Sequence, residues 1–342
     1  MISNNIPKSS LLSFWHSLKV STSEGNSLQT SLDATVTSFE NSYQQSAKTV
    51  NWMIENRGGL AKIAGLAIIP AQYIANDHIS SNKIINRLLS IGMRNGDIEK
   101  ISIPMGDNSI EGIICYPKNW KKEDNSRCIV YHNPNGVATA GFFEDGNLSW
   151  TPGEIFKTKN CPIILYDYRG VGLNQDVTTN SSLKFHATYE SIITDGQAAL
   201  KFALTKFDKV EVIGSSLGGG VATVSLDRHL TKNPLDKNRI IQLINHDSFT
   251  TTPRVIFPNN PRIADFLGYV VGANLDAMNP IKNLIARGVK VTVLCHTKDP
   301  IIPFGARMGD FVQTLPKKAN ATVFASPQYG HANLSSDMVD FL

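Results

Sequence analysis

Val210-Glu-Val-Ile-Gly-Ser-Ser-Leu-Gly-Gly-Gly-Val-Ala-Thr-Val224 decides the fold. Its first four residues read as a strand, and Gly218 onward opens a helix. Between them Gly214-Ser215-Ser216-Leu217-Gly218 fits the pattern G-x-S-x-G. A strand that turns at once into a helix needs a sharp, crowded backbone bend. Glycine two residues before and two after Ser216 lets that bend close without a side-chain clash. The bend lifts one hydroxyl above the strand end, beside a helix N-terminus that favours developing negative charge. Ser216 is therefore the predicted nucleophile, and Ser215 is off-centre in the motif. A glycine- and serine-rich turn without chemistry is the plain alternative. The strand before it and the helix after it argue against that.

Working outward, short apolar runs alternate with helical stretches. The runs are Cys128–Tyr131, Pro162–Tyr166, Val210–Ile213, Ile240–Ile244, Val289–Leu294 and Ala321–Phe324. Intervening helices are predicted at 184–205, 216–231 and 303–314. Near-continuous apolar strands imply a mainly parallel sheet with both faces covered. Ahead of them, Ile98–Pro104, Gly106-Asp107-Asn108 and Ile110–Pro117 read as a β-hairpin on the edge. The expected class is α/β.

The first ninety or so residues differ. Leu28, Leu32, Val36, Phe39, Tyr43, Ala47, Val50 and Ile54 recur at steps of three or four, the spacing of one helix face. Gly58-Gly59 would end that helix, and further helical pieces are read at 60–75 and 82–93. Residues 1–95 are thus expected to be a helical extension and 96–342 a catalytic domain, with 1–25 alternatively a solvated leader.

Composition narrows the function classes. Of 342 residues, 42% are hydrophobic, enough for a sizeable core. The net charge is only +4 with no block of like charges, so no nucleic-acid partner is expected. Cys115, Cys128, Cys161 and Cys295 lie in or beside apolar runs and form no Cys-x-x-Cys pair. Buried free thiols in the cytoplasm or another reducing compartment are the reading. Neither a signal peptide nor a transmembrane helix is expected, because polar residues and His16 interrupt the first apolar run. Gly59–Ala75 contains Lys62 and Pro70 and is too short to span. It is read as a buried helix, or alternatively as a peripheral membrane contact that presents lipid substrates. No zinc, P-loop or dinucleotide motif occurs, so no metal or organic cofactor is expected.

A serine hydroxyl needs a base. Only His229, His246, His296 and His331 follow Ser216. His331, in Gln328-Tyr-Gly-His-Ala-Asn333, comes just after the last strand, where chain order Ser–acid–His puts the base. Asp299, after the seventh strand, is the expected acid. An Asx-type turn before Pro300 is its plain alternative. Asp247, at the end of the sixth strand, is the second candidate. Two backbone N–H groups should hold the oxyanion. Leu217 supplies one, and the loop His132-Asn-Pro-Asn-Gly136 should supply the other.

These motifs, with Tyr166-Asp-Tyr-Arg-Gly-Val-Gly172, stand in the order of the α/β-hydrolase superfamily. Residues 98–342 resemble its cap-less serine esterases, lipases and thioesterases. The added N-terminus also resembles hydrolase-like proteins of intracellular bacteria, the chlamydial CHLPS-type family. The resemblance implies ester or thioester hydrolysis through an acyl-enzyme, with a small-molecule or lipid ester as substrate. It implies a structural turn for Asp167–Gly170, with packing and charge contacts for Arg169.

The chain departs from the family in three places. Pro134 stands where the family has an oxyanion donor, and proline has no N–H. The donor shifts to Asn135, with Gly136 and Asn133 as alternatives. Eleven residues follow His331, too few for a long closing helix. Between Asp247 and Pro280 a single helical stretch, 262–275, is read as a lip over the pocket. The rival reading is a catalytically weak interaction module on the same fold.

Overall fold

A computed structural model describes residues 78–174, 188–270, 274–317 and 319–342. The helices expected before residue 78, and the membrane contact at 59–75, lie outside the described residues. The leading hairpin forms as its alternation requires. β1 (Gly96–Met105) pairs antiparallel with β2 (Asn108–Pro117), Ile103 opposite Ile110. Its two-residue loop needs a positive φ, which Gly106 supplies at +66°.

The remaining strands are β3 (Arg127–His132), β4 (Ile163–Tyr166), β5 (Lys209–Ser215), β6 (Ile240–His246), β7 (Val291–Lys298) and β8 (Ala321–Tyr329). The eight-stranded sheet runs in the order β1-β2-β4-β3-β5-β6-β7-β8. β2 is antiparallel to both neighbours, and every pairing from β4 to β8 is parallel. Ile129 and Val130 are both fully buried although successive side chains point to opposite faces, so both faces are covered.

Helices provide that cover. On one side α3 (Tyr189–Lys206), α4 (Leu217–Lys232), α7 (Met278–Ala286) and α8 (Met308–Thr314) pack on one cluster of buried side chains. On the other, α1 (His78–Ile91), α2 (Trp150–Lys159) and the terminal α9 (Ser336–Val339) bury Ile85, Leu88, Ile155, Phe156 and Met338 in a second. Two small helices, α5 (Thr252–Ile256) and α6 (Pro261–Val270), lie between β6 and α7. Among the described residues no helix is long and apolar enough to cross a membrane.

Three local expectations are corrected. The helix expected at 303–314 begins at Met308. Gly305 has φ +83°, and the Arg307 guanidinium caps the His296 and Thr297 carbonyls at 3.1 and 2.7 Å, so the chain before Met308 is held as a loop. Of the stretch 262–275, the described part up to Val270 lies in the helix Pro261–Val270, while Leu275 is outside any helix and its N–H bonds Thr252 Oγ1 at 3.1 Å. Helices α2 and α7 were not anticipated. Each carries a proline, Pro152 or Pro280, in its first turn, where a missing N–H costs nothing.

The fold depends on one close approach. A Cβ at Gly218 would overlap the carbonyl groups of His132 and Asn133, which are backbone and cannot swing away. We expect Gly218→Ala to lose about 3 kcal/mol or more in urea unfolding. Wild-type stability in that variant would contradict the contact.

Candidate active site

β5 ends at Ser215 and α4 begins at Leu217, so the whole reversal falls on Ser216. Its φ of 53° and ψ of −119° lie where side chains are strained. Two bonds hold it: Ser216 N–H donates to His246 O at 2.8 Å, and Gly219 N–H donates to Ser216 O at 3.0 Å. Leu217 is the first helical residue, so its N–H has no acceptor within the helix.

The structure brings the three residues expected from sequence into one line. His331 Nε2 is 2.9 Å from Ser216 Oγ, and His331 Nδ1 is 2.8 Å from Asp299 Oδ2. The other Asp299 oxygen accepts Ile301 and Ile302 N–H at 2.7 and 2.9 Å. The Asx turn and the histidine partner are therefore one carboxylate, each use taking one oxygen. A proton on Nδ1, facing Asp299, leaves Nε2 as an acceptor for the Ser216 proton.

The loop between β3 and the 3-10 turn Thr139–Phe142 carries Asn135, which stands in a turn with Gly136 at φ +85°. Its base is held by a buried polar cluster. Asn133 Nδ2 donates to Tyr166 O at 3.0 Å, and Tyr168 O–H donates to Asn133 O at 3.1 Å. Asp167 accepts Thr139 N–H at 2.6 Å and Leu173 N–H at 2.9 Å. Burial pushes its carboxyl above the usual range. The His132 ring, bonded to Tyr166 O–H at 2.7 Å, is pushed down to about 3 by burial and stays neutral. Arg169 pairs with Asp195 (Nε to Oδ1 2.8 Å), as the resemblance implied.

The other candidates fall elsewhere. His229 bonds Asp236 at 2.8 Å, away from the elbow. All four cysteines are buried and free, and burial pushes Cys161 and Cys295 up to about 12, leaving them protonated. Asp247 does not bond the His331 ring. It belongs to a buried cluster that the sequence reading missed. His296 bonds it twice, N–H to Oδ1 and ring Nδ1 to Oδ2, both at 2.8 Å. Ala332 N–H donates to Oδ2 at 2.9 Å, and His246 Nε2 faces Oδ2 at 3.2 Å. Beyond them Tyr131 O–H donates to Ser215 Oγ at 3.0 Å, which lies 3.0 Å from His246 Nδ1. The signal for this cluster was polar residues at the C-terminal ends of adjacent apolar strands: Tyr131, Ser215, His246 and His296.

His246, Asp247 and His296 have ligand-type atoms within 4.8 Å of one another, as do Asp247, Asp299 and His331. Hydrogen bonds already join His296 to Asp247 and His331 to Asp299, and a cation there would have to displace an imidazole proton from each carboxylate. Burial opposes the Asp247 charge, but the two imidazoles outweigh it and hold the carboxyl well below its usual range. Burial likewise opposes a charged His296, and Asp247 outweighs it and raises that pKa. Asp247 thus stabilises the fold above about pH 4 and loses that contribution as pH falls through its depressed value. His296 contributes below about pH 6.5 and loses it as pH rises through its raised value. We expect the stability gap between wild type and His296→Gln to be larger at about pH 5.5 than at about pH 9 in thermal unfolding. A gap that stays constant or grows with pH would contradict the ion pair.

No family model matches the chain, and no curated protein matches it. Solved structures do. An alpha-beta hydrolase from Vibrio vulnificus aligns with a TM-score of 0.53 at 14% identity, over 81% of this chain and 91% of that one. An esterase from Pyrococcus furiosus aligns at 0.46 and 13% identity, over 69% and 83% of the two chains. An esterase from Pyrobaculum calidifontis aligns at 0.44 and 16%, over 80% and 89%. These likenesses do not bear on the chlamydial-type resemblance. Strand order, helices on both faces and the Vibrio likeness agree: the chain has the α/β-hydrolase fold.

Proposed function

We propose that the protein is a serine hydrolase that cleaves carboxylic ester or thioester bonds through an acyl-enzyme on Ser216. The observation that carries this reading is the unbroken line Ser216 Oγ–His331–Asp299, at 2.9 and 2.8 Å. His331 Nε2 takes the Ser216 proton as Oγ attacks the carbonyl carbon. The Leu217 and Asn135 N–H groups hold the oxyanion. His331 then gives the proton to the leaving alkoxide or thiolate, and Ser216 stays acylated. Water, deprotonated by the same imidazole, releases the acid. Asp299 steadies the imidazolium throughout.

Apolar side chains flank both partners of Ser216. Ile301 and Phe304 follow Asp299 and Tyr329 precedes His331, and all three are exposed. They favour an ester with an apolar acyl or alcohol part, a small molecule or a lipid. The interaction-module reading is motivated by Pro134, which removes one N–H from the oxyanion loop.

A fluorophosphonate probe should label the wild type and leave Ser216→Ala unlabelled. Hydrolysis of an activated short-chain ester should fall by about a thousandfold or more in that variant. Equal labelling of both proteins would overturn the assignment of Ser216. A folded wild type that resists the probe and turns over no ester would favour the interaction module.

A further inference from the structure

Two neighbouring residues at the end of β6 hold both reacting groups of the proposed site. The His246 carbonyl accepts the Ser216 N–H at 2.8 Å, and the Asp247 carboxylate accepts the Ala332 N–H at 2.9 Å. Ala332 directly follows His331. The distance between nucleophile and base is therefore spanned by one dipeptide, independently of Asp299. Asp247 is itself pinned, its N–H donating to Leu294 O at 2.8 Å.

Backbone conformation marks the same three points. Among the described residues seven that are not glycine have positive φ, and three are Ser216 (53°), Asp247 (43°) and Ala332 (55°). Such conformations persist where the surroundings enforce them. At Ala332 the enforcing contacts are the Asp247 carboxylate on its N–H and Thr151 Oγ1, 2.6 Å away, on its carbonyl.

Charge adds a second role. Asp299 offers His331 only one oxygen, because its other is used by the Ile301 and Ile302 N–H groups. A ring nitrogen of His331 and oxygens of both Asp299 and Asp247 lie within 4.8 Å of one another. Two buried carboxylates thus face one imidazole.

We propose that Asp247 is a positioning residue for the hydrolase reaction, fixing the His331 loop to the Ser216 turn and adding a second negative charge that sustains the His331 imidazolium. This rests on the reading of Ser216 as nucleophile. Asp247 is faced by His246 on its own strand, by His296 and the neutral Cys295 on β7, and by Asp299 and His331 from their loops. Arg307, itself paired with Asp310, caps the His296 carbonyl, and Asp337 acts on His296 from α9. The imidazoles hold Asp247 ionised.

The pH dependence of the fluorophosphonate labelling rate tests this, because that rate follows the fraction of His331 that is unprotonated. In Asp247→Asn we expect the acid limb to move to lower pH by about half a unit or more. The plateau rate should fall about tenfold or more as the loop loses its anchor. With an activated ester the loss should lie in kcat, with KM little changed. A slower variant whose acid limb stays in place would overturn the proposal, because a merely structural residue lowers the rate without moving the midpoint. Should Asp247→Asn fail to fold, Asp299→Asn carries the test. With a second carboxylate beside the imidazole it should keep more than about a thousandth of the wild-type labelling rate, and a smaller residue would overturn the proposal. A wild type that carries no label on Ser216 would overturn the hydrolase reading and this proposal together. A labelled wild type with an unmoved limb in the variant would overturn this proposal alone.

Discussion

Between β5 and α4 the chain passes from extended to helical backbone across Ser216 alone, at φ 53°. That turn is affordable only because Gly214 and Gly218 carry no side chains. A Cβ on Gly214 would strike the Gly218 carbonyl, and one on Gly218 would strike that of His132. The end of β3, the turn and the start of α4 are thereby pressed together. The loop carrying Asn135, the N-terminus of α4 and the Ser216 hydroxyl meet as a consequence. The parallel sheet brings the rest, since β6, β7 and β8 all run in the β5 direction. Their C-terminal ends therefore deliver Asp247, Asp299 and His331 to the same edge.

Burial then sets the chemistry of this edge. Acidic and imidazole groups there are removed from water, and each survives by being bonded to a partner of the opposite role. His132 is kept neutral and fastened to Tyr166, so it acts as a wall and not as a base. His246 and His296 surround Asp247 and keep it charged. His331 differs in being partly open, with 17% of its side chain exposed, while Asp299 behind it is shut off at 1%. In the proposed reaction His331 exchanges protons with substrate and water, which needs that opening, and Asp299 does not.

Much of this was legible in the sequence, for local reasons. The G-x-S-x-G turn, the apolar strands and the hairpin loop are each specified by residues adjacent in the chain. Asp299 and His331 were found because chain order and strand ends constrain where they fall. Helices α2 and α7 are hard to read locally, since a proline in a first turn looks the same in sequence as one that breaks a helix. The Asp247 cluster is harder to read because its members come from four strands, and polar residues at strand ends point to it only once the order of β3, β5, β6 and β7 in the sheet is known. Asp299 reads in sequence as either a histidine partner or a turn former, and its carboxylate makes both contacts, one with each oxygen.

The most direct measurement is mass spectrometry of the protein quenched during turnover of an activated ester, with the acylated peptide sequenced. The expected result is an acyl group on Ser216, present transiently while the wild type turns over and absent from Ser216→Ala. An acyl group on the neighbouring Ser215, or ester turnover that persists in Ser216→Ala, would contradict it.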